Sequence, residues 1–161
     1  MLNKQLLNPK SIVIVGGSNN IHKPGGKIVK NILDGQYSGR LLVVNPKEKT
    51  VQGIKSYNSV QDISKANLAI LAIPANFCLE VVTILAQQKK TKAFIIISAG
   101  LGEANESGGI LERQIVDVVN SVNGCLIGPN CIGIINENYK GVFTSPVPKF
   151  NPKGCDLISA S

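Results

Sequence analysis

Tryptophan is absent from this sequence, methionine and histidine occur once each, and aromatic residues make up only 4%. No apolar run reaches the length of a membrane span, and the opening Met1-Leu2-Asn3-Lys4-Gln5 does not build a signal peptide. A cytoplasmic location without a membrane partner is the default expectation. Cys-x-x-Cys spacing is also missing, since Cys78, Cys125, Cys131 and Cys155 are scattered along the chain. Neither a zinc site nor a disulfide framework is indicated, so no metal is expected and free thiols in a reducing compartment are. The net charge is +7, from 17 basic and 10 acidic residues, yet there is no long basic run and no interleaving of basic with aromatic residues. Nucleic acid is therefore disfavoured as a partner. A polyanionic cofactor is not.

What is present is an α/β pattern. The chain has 161 residues, 43% of them hydrophobic, which suits one well-packed domain and is too short for two full ones. Short apolar runs predict strands at Ile12–Val15, Leu41–Val44, Leu68–Ile73, Ala93–Ser98 and Cys125–Ile127. Longer amphipathic segments predict helices at Gly25–Asp34, Ser59–Ile63, Asn76–Lys89 and Gly108–Val122. A run such as Leu68-Ala69-Ile70-Leu71-Ala72-Ile73 is apolar on both faces, as a parallel strand covered on both sides must be. The fold class expected is a Rossmann-like, doubly wound, mainly parallel sheet with helices on both faces.

Ligands in such sheets bind beyond the carboxyl ends of the strands. Those ends read Gly16-Gly17-Ser18, Asn45-Pro46-Lys47, Pro74-Ala75-Asn76, Ser98-Ala99-Gly100 and Gly128-Pro129-Asn130. The first leads through Asn19, Asn20 and His22 to Pro24-Gly25-Gly26 at a predicted helix start. Glycines let the backbone turn sharply and approach a ligand, and a helix N-terminus supplies free N–H groups, so this turn reads as a phosphate cradle. It is neither the full dinucleotide fingerprint nor a Walker loop, because Gly26-Lys27 is followed by Ile28.

The end of the second strand narrows the cofactor. An NAD site calls for an acidic residue there to hold the ribose hydroxyls. Here Val43-Val44-Asn45-Pro46-Lys47 carries none before Glu48. Lys47 favours a phosphorylated ribose instead, as in NADP or coenzyme A; Lys49 also lies near this strand end, and Lys23 and Lys27 fall near the predicted cradle.

Several of these segments resemble the CoA-binding domain of the ADP-forming (NDP-forming) acyl-CoA synthetases, relatives of the succinyl-CoA ligase α subunit. They are Leu7 to Ser18, Pro24-Gly25-Gly26 with Lys30 to Leu33, Val44 to Lys47, Ile73 to Cys78, Ile97 to Glu103 and, most specifically, Leu126 to Ile134. The resemblance covers about residues 5 to 145, in family order. It implies a CoA cleft in which Gly16, Gly17, Ser18 and Asn19 take the nucleotide phosphates and ribose. Lys47 meets the 3′-phosphate or adenine end, and Pro74, Phe77, Ser98 and Ala99 line the adenine and pantetheine path. Phe77 also reads equally well as a core aromatic at a helix start.

Gly128-Pro129-Asn130 before an apolar turn is expected to open a helix. The resemblance implies that this helix end, with Asn130, Cys131 and Gly133, faces the phosphate of a phosphohistidine. Cys131 is expected to be a small buried residue without a nucleophilic role, since no histidine partners it. His22 is expected to be a solvated loop histidine. The resemblance sets the phosphorylated histidine, and ATP or ADP with Mg, in domains beyond this sequence, so no catalytic residue is assigned within it.

Residues 1–145 are expected to form the CoA-binding domain. Residues 146–161, with linker-like Thr144 to Pro148 and strand-like Gly154 to Ser159, are expected to lead into a following domain of a longer protein. The function implied is the CoA-binding part of an acid–thiol ligase that interconverts acyl-CoA, ADP and phosphate with acid, ATP and CoA. Its partners would be CoA or acyl-CoA and the remaining synthetase domains or an ATP-grasp subunit. Two alternatives stay open: a regulatory CoA- or nucleotide-binding module fused to a protein acetyltransferase, and an NADP-binding oxidoreductase domain.

Overall fold

A computed structural model describes residues 2–147. The linker and strand expected over 146–161 fall outside the described residues from position 148 onward.

The core is a seven-stranded sheet in the order β3 (Thr50–Val51), β4 (Ile54–Tyr57), β2 (Arg40–Val44), β1 (Ser11–Val15), β5 (Leu68–Leu71), β6 (Ala93–Ile96) and β7 (Cys125–Ile127). Its inner strands are β1, β2, β5 and β6, all parallel to their neighbours. β7 closes one edge in parallel. At the other edge β4 runs parallel to β2, and β3 pairs antiparallel with β4. Every residue of β1, β5 and β6 is buried, because helices or a hairpin cover both faces.

The two faces are covered differently. On one, α3 (Cys78–Gln88) and α4 (Glu106–Ser121) bury Cys78, Val82, Leu85, Ile115 and Val119 against Val13, Leu71, Phe94 and Ile96. On the other, α2 (Pro24–Asp34) shares the work with short α1 (Lys4–Leu7) and the hairpin β8 (Gly133–Ile135) and β9 (Lys140–Val142). Two side chains pin that hairpin: the Asn31 amide donates to the carbonyls of Val142 (2.7 Å) and Thr144 (3.0 Å). The Tyr139 hydroxyl, buried among apolar groups, donates to Leu6 O at 2.9 Å. Burial pushes the Tyr139 phenol well above its ordinary value.

The expected doubly wound fold and its five main strands are present, with Leu68–Ile73 and Ala93–Ser98 ending two residues earlier than expected. Two helix expectations fail. Ser59–Ile63 forms turns rather than a helix: the Asp62 carboxylate accepts from Ser59 N–H (3.1 Å), and Ser59 Oγ from Gln61 N–H (3.1 Å). Such side chains compete with the helical ladder, and five residues are too few to overcome nucleation. Val60 and Ile63 are buried all the same, which explains their apolar spacing. The helix expected after Pro129 is also missing. Asn130 (φ 52°) and Gly133 (φ 105°) take left-handed backbone conformations, which a right-handed helix cannot contain, and Gly133 already belongs to β8. Asn130, Cys131 and Gly133 therefore do not form a helix end. Among the described residues, no helix is long and apolar enough to cross a membrane.

Candidate functional site along the carboxyl edge

The order in which strands are added reverses at β1, which has β2 on one side and β5 on the other, both parallel to it. The loops after β1 and β5 leave toward opposite faces, to α2 and α3 respectively. A crevice at that point is the general ligand site of open α/β sheets.

Contact across this point depends on glycine. Gly16 has φ +87°, and a Cβ there would lie 2.3 Å from Ala72 O and 2.9 Å from the Ile73 side chain. A Cβ on Gly25 would lie 2.0 Å from Gly16 O, so the first turn of α2 sits directly on the turn after β1. This is the role of the last glycine in a dinucleotide turn, reached here with different spacing. Lys23, the N-cap of α2, makes no side-chain cap hydrogen bond. The first turn of α2 therefore has no side-chain cap, and its positive dipole end is open to an anion.

The segment following β2 holds this turn in shape. Asn45 Nδ2 donates to Gly17 O at 2.7 Å, while Asn45 Oδ1 accepts from Lys47 N–H at 2.9 Å. That pair ties the loop bearing exposed Lys47 to the glycine turn. Gln52 Nε2 donates to Ser18 O (2.9 Å) and Gly26 O (2.8 Å), stitching the turn to α2. Asn19 is consumed in the same network: its Oδ1 accepts from Gln52 N–H at 2.7 Å, and its Nδ2 donates to Thr50 O at 2.8 Å and to Glu48. Glu48 also accepts from Ser18 Oγ (3.3 Å) and Asn19 N–H (3.4 Å). Glu48, Thr50 and Gln52 were not singled out from sequence as site residues. Gln52 has φ 48° beside Gly53 at φ 85°, and that turn returns β3 onto β4. A Gln-Gly pair between short β-prone runs was the available signal.

The other half of the edge is less polar. Pro74 starts a 3-10 turn, Ala75–Phe77, that leads into α3. Phe77 is 51% exposed, so it is not a core aromatic. Ser98 Oγ donates to Ile73 O and lies 3.9 Å from the buried Cys78 Sγ, joining the ends of β5 and β6. Ala99 is exposed next to it. Asn130 N–H donates to Ser98 O at 3.1 Å, which brings the β7 loop to the same line. The Glu103 carboxylate accepts from the N–H groups of Gly100 (2.6 Å) and Leu101 (3.2 Å). Chiefly the Gly100 bond holds its carboxyl below the ordinary range.

The edge therefore brings together Gly16, Gly17, Ser18, Asn19 and Lys47 on one side and Pro74, Phe77, Ser98 and Ala99 on the other. Cys131 is half-buried, with Sγ 3.4 Å from Ile96 O, and burial pushes its thiol up, as it does for Cys78. Both remain protonated at neutral pH and neither is an activated nucleophile. Cys78, Cys125 and Cys131 are free thiols, and no group of side chains suited to a metal occurs among the described residues. His22 is an exposed loop residue, as expected. It lines a cleft of about 520 Å³ along α2 with Ile21, Lys27, Lys30 and Lys140. A larger cleft, about 770 Å³, adjoins Pro129 and Asn130 but carries Glu103, Glu112 and Asp117 against Arg113, which disfavours a polyphosphate.

Residues 10–137 match the family described as CoA binding domain. The α subunit of ADP-forming acetate–CoA ligase II from Pyrococcus furiosus is 36% identical over 147 residues, covering 89% of this chain and 32% of that protein. ADP-forming 4-hydroxybutyrate–CoA ligase from Nitrosopumilus maritimus is 35% identical over 162 residues, covering 100% of this chain and 23% of that one. Among solved structures, a Pyrococcus horikoshii OT3 protein superposes with a TM-score of 0.81 at 37% identity, over 90% of this chain and 33% of that one. A dinucleotide-forming acetyl-coenzyme A synthetase 1 from Ca. Korarchaeum cryptofilum, in complex with phosphate and ADP, gives 0.79 at 26%, over 87% and 30%. The chain thus spans about a third or less of the length of these relatives. By sequence and by fold, it belongs to the CoA binding domain family.

Proposed function

We propose that the crevice between the β1 and β5 loops binds coenzyme A, as the cofactor-holding part of an ADP-forming acyl-CoA ligase. The observation that carries this reading is the contact of the Gly16 turn with the β5 loop, the loop that leads on through Pro74 to the exposed Phe77. CoA has the matching chemistry: a pyrophosphate and a ribose phosphate at one end, a flat base and a long, weakly polar arm at the other. The glycine turn and the uncapped α2 start fit the pyrophosphate. Lys47, held near the turn through Asn45, fits the 3′-phosphate. Phe77 and Pro74 offer surface to the adenine, and Ser98 and Ala99 to the arm.

In the full ligase the acyl transfer runs through a phosphohistidine and an ATP-grasp unit supplied by other domains or a second subunit. The relatives' names, those of ADP-forming CoA ligases, support the ligase part of this reading. Residues 1–145 act as the cofactor-holding unit, and the Asn130–Gly133 turn faces the phosphohistidine as an irregular loop. Isothermal calorimetry on this chain tests the cofactor. Micromolar binding of CoA with no binding of NADPH is expected, and tight NADPH binding without CoA binding contradicts the reading.

A further inference from the structure

The carboxylate of Glu48 lies on the donors that a phosphate would use. It accepts from the Ser18 hydroxyl, the Asn19 backbone N–H and the Asn19 side-chain amide. No other acid touches the glycine turn among the described hydrogen bonds. The Ser18 hydroxyl and Asn19 backbone contacts are long, 3.3 and 3.4 Å, against about 2.9 Å for a well-made bond, and only the Asn19 side-chain amide lies close. Glu48 is also flanked in sequence by Lys47 and Lys49 yet pairs with neither, because the single ion pair among the described residues is Lys30–Asp34. Asn19 keeps its own place without Glu48, through Thr50 and Gln52. The turn therefore does not need the carboxylate to hold its shape.

We infer that Glu48 is a specificity-determining residue: an internal anion that occupies the phosphate seat of the glycine turn and must be displaced by the incoming cofactor. This rests on the reading that the turn takes the cofactor's phosphates. A small anion has only the seat itself to offer and competes poorly with a tethered carboxylate. A ligand that also engages the Phe77 half gains enough elsewhere to displace it. Displaced, Glu48 lies beside Lys47 and Lys49, where its charge is balanced. The device raises the ratio of cofactor binding to binding of bare phosphates.

The test is calorimetric titration of the wild-type chain, Glu48→Gln and Glu48→Ala with inorganic pyrophosphate and separately with CoA, with thermal unfolding as a check on the fold. Both variants remove the charge, so both are expected to bind pyrophosphate about tenfold more tightly than wild type, with a smaller gain for CoA. Unchanged affinity in Glu48→Gln with weakened affinity in Glu48→Ala overturns the inference, since that is the behaviour of a strut. Weaker CoA binding in both variants with pyrophosphate unaffected also overturns it, making Glu48 a ligand contact. If wild type binds no CoA while both variants gain pyrophosphate, the cofactor proposal fails and the role of Glu48 stands.

Discussion

The two halves of the carboxyl edge are built by opposite means. Around the glycine turn, side chains do the stitching: Asn19, Asn45 and Gln52 fix Gly17, Ser18 and Gly26 from the neighbouring loop. At the β5 and β6 ends, main-chain bonds carry most of the load, joined by the Ser98 hydroxyl and the Glu103 carboxylate, and Phe77 is left exposed. The first half presents directed donors, which suit a charged group of fixed geometry. The second presents apolar surface, which suits a base or a flexible arm and contributes area with little directionality. They meet at Gly16 against Ala72 and Ile73, a contact that no side chain larger than hydrogen permits.

Breaking that junction has the largest expected effect. Gly16→Ala forces a Cβ to 2.3 Å from a sheet carbonyl at φ +87°. It should destabilise the fold by about 3 kcal/mol, read from the urea midpoint of unfolding. A loss below half of that would mean that the turn and the β5 loop can separate, and the crevice would lose its fixed width.

Phe77→Ala separates the halves functionally. Its side chain is exposed, so stability should hardly move, while base stacking is worth about 1–3 kcal/mol and CoA affinity should fall about tenfold to a hundredfold. Pyrophosphate affinity should be unchanged. Equal losses for both ligands would mean that the halves are not independent.

Lys47→Ala addresses the charged half alone. CoA should weaken about tenfold and dephospho-CoA much less, as expected for one lost charge-assisted contact. Equal weakening would remove Lys47 from the 3′-phosphate.

Glu103 gives the smallest effect, confined to the β6 loop. Its folded carboxyl titrates below its ordinary value, so its contribution is full above about pH 4.3 and is lost as pH falls through the lower folded value. The Gly100 amide shift, followed by NMR, should titrate below the ordinary carboxylate range. A midpoint at the ordinary value would show that the loop is not held by this side chain.

The sheet was legible in the sequence because fully buried parallel strands read as unbroken apolar runs, as at Leu68 to Leu71. The edge strands β3 and β4 were not, since Thr50-Val51 and Ile54 to Tyr57 are short, half-exposed and mixed in polarity. The hairpin β8–β9 escaped for the same reason. Gly-Pro-Asn misled because its composition fits a helix start, whereas the left-handed backbone at Asn130 and Gly133 is set by packing against β6 and β9. The glycine turn was readable from its spacing after β1. Its support was not, because Glu48 and Gln52 lie about thirty residues away and are ordinary surface residues by composition. Long-range polar pairing leaves no periodic trace in a single sequence.

The central claim is that one ligand spans both halves of this edge. Amide chemical-shift mapping during a CoA titration tests it most directly. The account predicts that Gly17 to Asn20 shift together with Phe77 and Ser98 to Gly100, while amides along the outer face of α2 near Lys30 and Asp34 stay fixed. Shifts confined to that α2 face, with both halves of the edge silent, would contradict it.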